Sequence, residues 1–284
     1  MILRRPAYRN TCGQRATAAC GEPVRMRAPK QTADKEIDIM ATISGTAVLI
    51  TGGNRGIGSA LALEALNRGA RRVYVGTRNA LTDDIDSRVT PVALDITNAS
   101  QIRAAVEKVD SLDILINNAG LALYDDLNDR SVLEQHLAVN LFGTYDLVQA
   151  FLPLLAQSRG SIVNNLSVNA LAPLSLIPAY SVSKAAAFSL TQSLRVILAA
   201  QGVRVHAVLT GPVDTDMTRA LDIPKASPQS VAKGIFDGVE DGDDEIFPDP
   251  MSRSLTERWY EGAAKLLEQQ YAALLAQNGH RRAC

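Results

Sequence analysis

A short, unbroken apolar run that stops on a glycine-rich turn constrains the fold of this chain more than any other feature. Thr46–Thr51 reads Thr-Ala-Val-Leu-Ile-Thr, and Gly52-Gly-Asn-Arg-Gly-Ile-Gly58 follows directly. No alternate position in the run is polar, so it fits a strand buried on both faces rather than one with a wet side. Helical signals run from Gly56 to about Arg68, where Gly69 closes them. A strand covered on both sides and followed at once by a helix is the opening of a parallel sheet.

The rest of the chain repeats the alternation. Arg72–Gly76, Val89–Leu94, Leu112–Asn117, Ser161–Leu166, Val203–Leu209 and a short Glu245–Phe247 read as further strands. Asn98 or Ser100 is placed to cap a helix ending near Lys108. Helical stretches also cover Val132–Gln157, broken in composition by Gly143 and Pro153, and Tyr180–Ala200. The predicted class is α/β, a single doubly wound parallel sheet of about seven strands with helices on both faces. Asn79–Arg88 is short and acidic, so that crossover is read as a loop or a single helical turn. Ser252–Gln277 carries Leu255, Trp259, Ala263, Leu266, Leu267 and Leu274 at helical spacing, a stripe read as docking on its own domain rather than on another subunit.

The glycines at 52, 56 and 58 permit a tight turn, a close backbone approach to a pyrophosphate, and close packing of helix on sheet. The helix that follows aims free N–H groups at such an anion. A second constellation lies downstream. Tyr180 and Lys184 are four residues apart, one helical turn on one face, with Ser167 upstream. Free tyrosine titrates near ~10. A neighbouring ammonium is expected to lower that value, as suits a group exchanging a proton near neutral pH.

In their order these segments resemble the compact branch of the short-chain dehydrogenase/reductase family, over about residues 46–247. Thr51-Gly-x-x-x-Gly-Ile-Gly58 is similar to the family's dinucleotide turn, involving Gly52, Asn54, Arg55, Gly56, Ile57 and Gly58. Asp95-Ile96 looks like its adenine contact, and Asn117-Asn118-Ala119-Gly120 like its sheet-stabilising motif. Asn140 matches its helix asparagine, and Ser167, Tyr180 and Lys184 its catalytic three. Thr210-Gly211-Pro212-Val213-Asp214-Thr215 departs from the usual Pro-Gly at Thr210, but Val213 and Thr215 resemble the residues that hold the nicotinamide carboxamide. Leu166-Ser167 stands where Ser-Ser is usual and keeps the functional serine.

The resemblance implies a Rossmann-like oxidoreductase in which Ser167 and Tyr180 hold a substrate carbonyl oxygen and Tyr180 is the acid/base. Lys184 would bind the nicotinamide ribose, and Asn140 would fix a water joining Lys184 to solvent. Gly76-Thr77-Arg78 ends the second strand without an acid, and Arg55 lies in the turn, so two guanidiniums favour NADP over NAD. Ala170–Pro178 contains no charged residue and suggests an apolar wall for an uncharged ketone, aldehyde or secondary alcohol. Thr215–Ser230, with Met217, Leu221 and Ile223, is expected to form a lid. The alternatives are a 3-oxoacyl-thioester reductase, for which Arg219 and Lys225 are the visible basic residues, and a non-catalytic nucleotide sensor, which would more often have lost Tyr or Lys. A homodimer or homotetramer through the two long helices is expected.

Charge and cysteine usage remove other classes. Net charge is −1, from 29 basic and 30 acidic residues, which gives no electrostatic case for nucleic acid or an anionic membrane. No apolar run approaches the ~18 residues of a membrane span. His136, His206 and His280 show no metal spacing, and no metal is expected; His136, one turn before Asn140, is read as an ordinary histidine. Cys12, Cys20 and Cys284 lie outside the folded body, which suits a cytoplasmic, reducing location. Residues 1–39 are Arg-rich and hold three prolines. They fit a disordered basic extension, an organelle transit segment, or an upstream start with the natural one at Met40, the fold then occupying 41–284.

Overall fold

The computed structural model describes residues 42–79 and 86–282, with side chains described up to 273. The basic stretch 1–39, most of the Asn79–Arg88 crossover and all three cysteines lie outside the described residues. Seven parallel strands form one sheet in the order β3-β2-β1-β4-β5-β6-β7. They are β1 (Ala47–Thr51), β2 (Arg72–Thr77), β3 (Val89–Ala93), β4 (Ile114–Asn117), β5 (Ser161–Asn165), β6 (Arg204–Val208) and β7 (Glu245–Ile246). The sheet is doubly wound and Rossmann-like.

Both faces are covered, and the strand alternation divides each strand between two cores. Val48 and Ile50 of β1 face α1 (Gly56–Asn67) and α6 (Pro228–Asp241), along with Ile114, Ile116 and Val163. Ala47 and Leu49 face the opposite way with Leu115 and Ile162. There they meet α2 (Ala99–Lys108), α4 (Thr144–Ser158) and α5 (Pro178–Ala199). Strand order reverses between β1 and β4, so the loops leaving their carboxyl ends diverge and open a crevice, the usual place for a ligand in such sheets.

The stretch expected to be one long helix is α3 (Arg130–Leu137), capped by Asp129, then a wide π turn at Ala138–Gly143, then α4. Arg130–Ser158 includes an 18-residue window of mean hydropathy 1.2, long and apolar enough to cross a membrane by length and composition alone. Leu147, Val148, Phe151 and Leu155 carry that apolarity and are wholly buried against the sheet.

Two segments differ from expectation. No helix was anticipated between β6 and β7, yet α6 forms there. Ser227 caps it with Pro228 in its first turn, Gly242 ends it at φ 77°, and Val231, Ile235, Phe236 and Val239 are buried. The carboxyl-terminal stretch is three helices rather than one: α7 (Pro250–Arg253), α8 (Thr256–Tyr260) and α9 (Ala263–Arg282). Leu255 and Trp259 do pack on the body, Trp259 against Phe188 at 5.5 Å between ring centroids. Leu266 and Leu267 are exposed instead, because α9 docks through charge. The buried Lys265 ammonium meets Glu245 at 2.7 Å and Glu268 at 3.1 Å, and Arg195 meets the same two carboxylates at 2.9 and 2.6 Å. Beside this cluster, burial holds His206 down at about 4, its Nδ1–H donating to the Asp243 carbonyl.

Candidate active site

A belt of hydrogen bonds ties the carboxyl ends of the central strands together. Thr51 Oγ1 accepts from the Asn118 and Ala119 amides, both at 3.0 Å. Asn118 Nδ2 donates to the carbonyls of Thr51 (2.9 Å) and Gly52 (3.3 Å). Its Oδ1 accepts from Asn165 Nδ2 at 3.0 Å, and Asn165 Oδ1 accepts from Thr210 Oγ1 at 2.8 Å. The chain's threonine at the usual proline position thus closes the belt at β6. Asn117 Nδ2 adds a parallel link to Asn164 Oδ1 at 2.8 Å.

The glycine turn is built on this belt. Gly52 has φ +64°, a region that favours glycine, and a Cβ there would lie 3.1 Å from Ala119 Cα. At Gly58 a Cβ would fall 2.1 Å from the Gly52 carbonyl oxygen, so α1 starts in direct contact with the turn. The helix begins at Arg55 with no side-chain cap, unlike α2 and α6, whose first amides bond to Asn98 and Ser227. Its leading N–H groups are therefore left to an anion from outside, which fits a pyrophosphate.

Tyr180 and Lys184 lie on one face of the first turns of α5, both buried. Ser167, at the end of β5, reaches the same point. Its hydroxyl lies beside the Tyr180 phenol, close enough to lower that group's pKa, and its Oγ accepts from Asn169 N at 3.1 Å. Lys184 Nζ is 5.6 Å from the Tyr180 ring centroid and donates to the Asn165 carbonyl at 2.8 Å. The electrostatics correct the sequence reading. Burial pushes Tyr180 up to about 12, offset only in part by the neighbouring Ser167 hydroxyl, and pushes Lys184 down to about 8. Desolvation disfavours both charged forms and outweighs the ammonium's pull on the phenol. At neutral pH the phenol keeps its proton.

One cavity of about 770 Å³ gathers the sequence-named residues. Gly52, Asn54, Arg55, Gly56, Ile57, Gly58, Arg78, Asp95, Ile96, Asn118, Ala119 and Gly120 line one part, and Ser167, Tyr180, Lys184, Val213 and Thr215 complete it. Asp95 is fixed by Thr97, whose hydroxyl and amide donate to its Oδ1 at 2.7 and 2.9 Å and hold its carboxyl below the usual range.

Two residues behave otherwise than expected. Asn140 does not line the cavity. Its Oδ1 accepts from Leu121 N (2.8 Å), and its Nδ2 donates to Leu121 O (2.9 Å) and Ser183 Oγ (2.8 Å). Both amide hydrogens are used, so the side chain grips the cavity wall and has no hydrogen left to donate to a water. Arg55 reaches across the cavity mouth to Asp216, between β6 and α6, at 2.7 Å.

Sequence reasoning missed Asn165, although two successive asparagines in an otherwise apolar strand were a visible signal. It also missed Asp249, whose Oδ2 accepts from Gly211 N at 2.7 Å, and Asp125, whose carboxylate accepts from Ala179 N at 3.2 Å, one residue before Tyr180.

Comparison with known proteins agrees with this geometry. Residues 46–225 match the family model described as short chain dehydrogenase. An uncharacterized oxidoreductase of Staphylococcus epidermidis is 33% identical over 210 residues, covering 69% of this chain and 91% of that protein. A short chain dehydrogenase from Burkholderia cenocepacia, solved in complex with NADP, is 35% identical with a TM-score of 0.74, over 81% of this chain and 98% of that one. ElxO, solved with NADP bound, is 26% identical with a TM-score of 0.66, over 74% of this chain and 99% of that one. With the family model spanning more than half its length, the chain belongs to the short chain dehydrogenase family of oxidoreductases.

Proposed function

We propose that this chain is an NADP-dependent oxidoreductase that interconverts an uncharged, largely apolar ketone or aldehyde and the corresponding alcohol, with residues 41–284 as its single catalytic domain. The observation that carries the reading is that Ser167, Tyr180 and Lys184 share one cavity with the uncapped glycine turn. NADPH, when bound, supplies a hydride to the carbonyl carbon. Ser167 and Tyr180 each hold a hydroxyl proton, so both can donate to the substrate oxygen. Tyr180 then gives up its proton as that oxygen gains charge. Burial keeps the phenol protonated at neutral pH, the form from which it can donate. Lys184, still mostly protonated at pH 7 with a value of about 8, is the cation for the nicotinamide ribose and the developing phenolate.

NADP over NAD is supported by Arg78, exposed just after β2 where the sequence Gly76-Thr77-Arg78 carries no acid, and by the two neighbours solved with NADP. The substrate end of the cavity is lined by Leu174, Leu176, Ile177, Met217, Leu221 and Ile223, which supports an apolar substrate. A 3-oxoacyl thioester gains less support, since Arg219, one of the two basic residues near the lid, is paired with Asp216. Phe142, Tyr145, Val182 and Ile197 are large apolar side chains left exposed on the two long helical stretches, as a homodimer or homotetramer would need. A cytoplasmic location completes the proposal.

The test is NADPH consumption across uncharged ketones, aldehydes and 3-oxoacyl thioesters. Preference for the thioesters would replace this reading with the alternative, and no turnover of any carbonyl would end it. Arg78→Asp should weaken NADPH binding by about tenfold or more and leave NADH binding nearly unchanged, since a charge-assisted phosphate contact is worth roughly 1.5–3 kcal/mol. Arg55→Ala should do less, because Asp216 already engages that guanidinium. Unaltered selectivity in both variants would remove the NADP assignment.

A further inference from the structure

We propose that His136 is a positioning residue for the reaction, holding both the substrate-side wall and the Tyr180 ring; this rests on the reading of the site given above. His136 lies in the last turn of α3 and is fully buried. Its Nδ1 is 2.7 Å from the Val132 carbonyl, and its Nε2 is 3.0 Å from the Leu123 amide. A carbonyl needs a donor and an amide needs an acceptor, so together these partners fix the neutral imidazole with its proton on Nδ1. A histidine that merely filled space would need no such directed acceptor.

The partner it holds is part of the site. Leu121, Ala122 and Tyr124 line the cavity around Leu123. Asn140, four residues after His136 and so on the same helix face, clasps both main-chain polar groups of Leu121. Histidine and asparagine thus grip alternate residues, 121 and 123, from one side. Two residues further, Asp125 accepts from Ala179 N at the start of α5. The His136 ring also stands at 74° to the Tyr180 ring, with centroids 6.4 Å apart, an edge-to-face contact. One side chain therefore sets the path of the wall that the substrate meets and one wall of the slot in which the proposed proton donor sits.

Removing the acceptor strands a buried amide and frees the wall. His136→Leu is expected to lower kcat/KM for an accepted carbonyl by about tenfold or more, since small misplacements near the reacting atoms are costly. Both a raised KM and a lowered kcat should contribute, while NADPH affinity changes less than about twofold. His136→Gln can place its amide oxygen near the Nε2 position and should recover most of the loss, whereas His136→Asn is one bond too short and should not. Backbone hydrogen exchange of the 121–125 stretch gives a readout independent of turnover. Protection should fall in the Leu and Asn variants and persist in Gln. Equal losses in Gln, Asn and Leu, or unchanged exchange in all three, would overturn the proposal, leaving His136 as filler. If His136→Leu does not fold, the Gln and Asn pair decides by the same order. If the wild type turns over no carbonyl, the functional reading fails, and the exchange measurement still judges the histidine.

Discussion

Tyr180→Phe is expected to lower kcat by about a thousandfold or more while NADPH binding changes by less than about twofold, the range being that of a lost general acid. The variant removes one oxygen and keeps the ring. The edge contact with His136 and the backbone of α5 remain. What disappears is the phenolic proton beside Ser167. The carbonyl oxygen would then gain charge with one hydroxyl donor in place of two, and no acid to neutralise it. Single-turnover consumption of NADPH, with a separate dinucleotide titration, separates the two effects. Turnover within a few-fold of wild type would remove Tyr180 from the chemistry.

Gly58→Ala should be the most damaging substitution of the cofactor side. A Cβ at that position would fall 2.1 Å from the Gly52 carbonyl oxygen and 2.7 Å from Asn118 Nδ2. The first of these is main chain and cannot rotate away. The second belongs to the belt that fixes the turn, so relief there breaks the bonds from Asn118 to Thr51 and Gly52. The amino terminus of α1 must lift off the turn, taking its free N–H groups with it. Overpacking of this kind commonly costs about 1–3 kcal/mol. The expected results are a melting point lower by several degrees and NADPH affinity reduced by about a hundredfold or more. Ser59→Ala, one residue on and exposed, serves as control and should change neither much. If Gly58→Ala binds NADPH as wild type does, the dinucleotide does not sit on this turn.

Much of this architecture was legible because it depends on local sequence. Strands covered on both faces must be continuously apolar, and β1, β2, β4, β5 and β6 lie within a residue or two of the expected spans. Helix α6 is equally written, in Ser227-Pro228 at one end and Gly242 at the other. Other features had no local signature. The exposed Leu266 and Leu267 have the spacing of a buried stripe, and only the distant pairing of Lys265 with Glu245 and Glu268 shows how α9 docks. Tyr180 and Lys184 do share a helix face, yet their titration is governed by burial, which residue spacing does not reveal. Asn140 is in the expected place, but its amide is committed to Leu121 and Ser183, partners set by tertiary packing. Arg55 meets Asp216 for the same reason: the stretch after β6 returns to the turn from far along the chain.

Isotope transfer tests the central claim most directly. The protein would be given an accepted ketone in ordinary water with NADPH carrying deuterium at one, then the other, of the two hydrogens on its reactive ring carbon. The account predicts that one of the two labels appears in full on the carbinol carbon of the alcohol, while the new hydroxyl proton comes from solvent through Tyr180. Alcohol free of deuterium from both labelled forms, or label lost to water, would show that the cavity does not carry a hydride to the carbonyl.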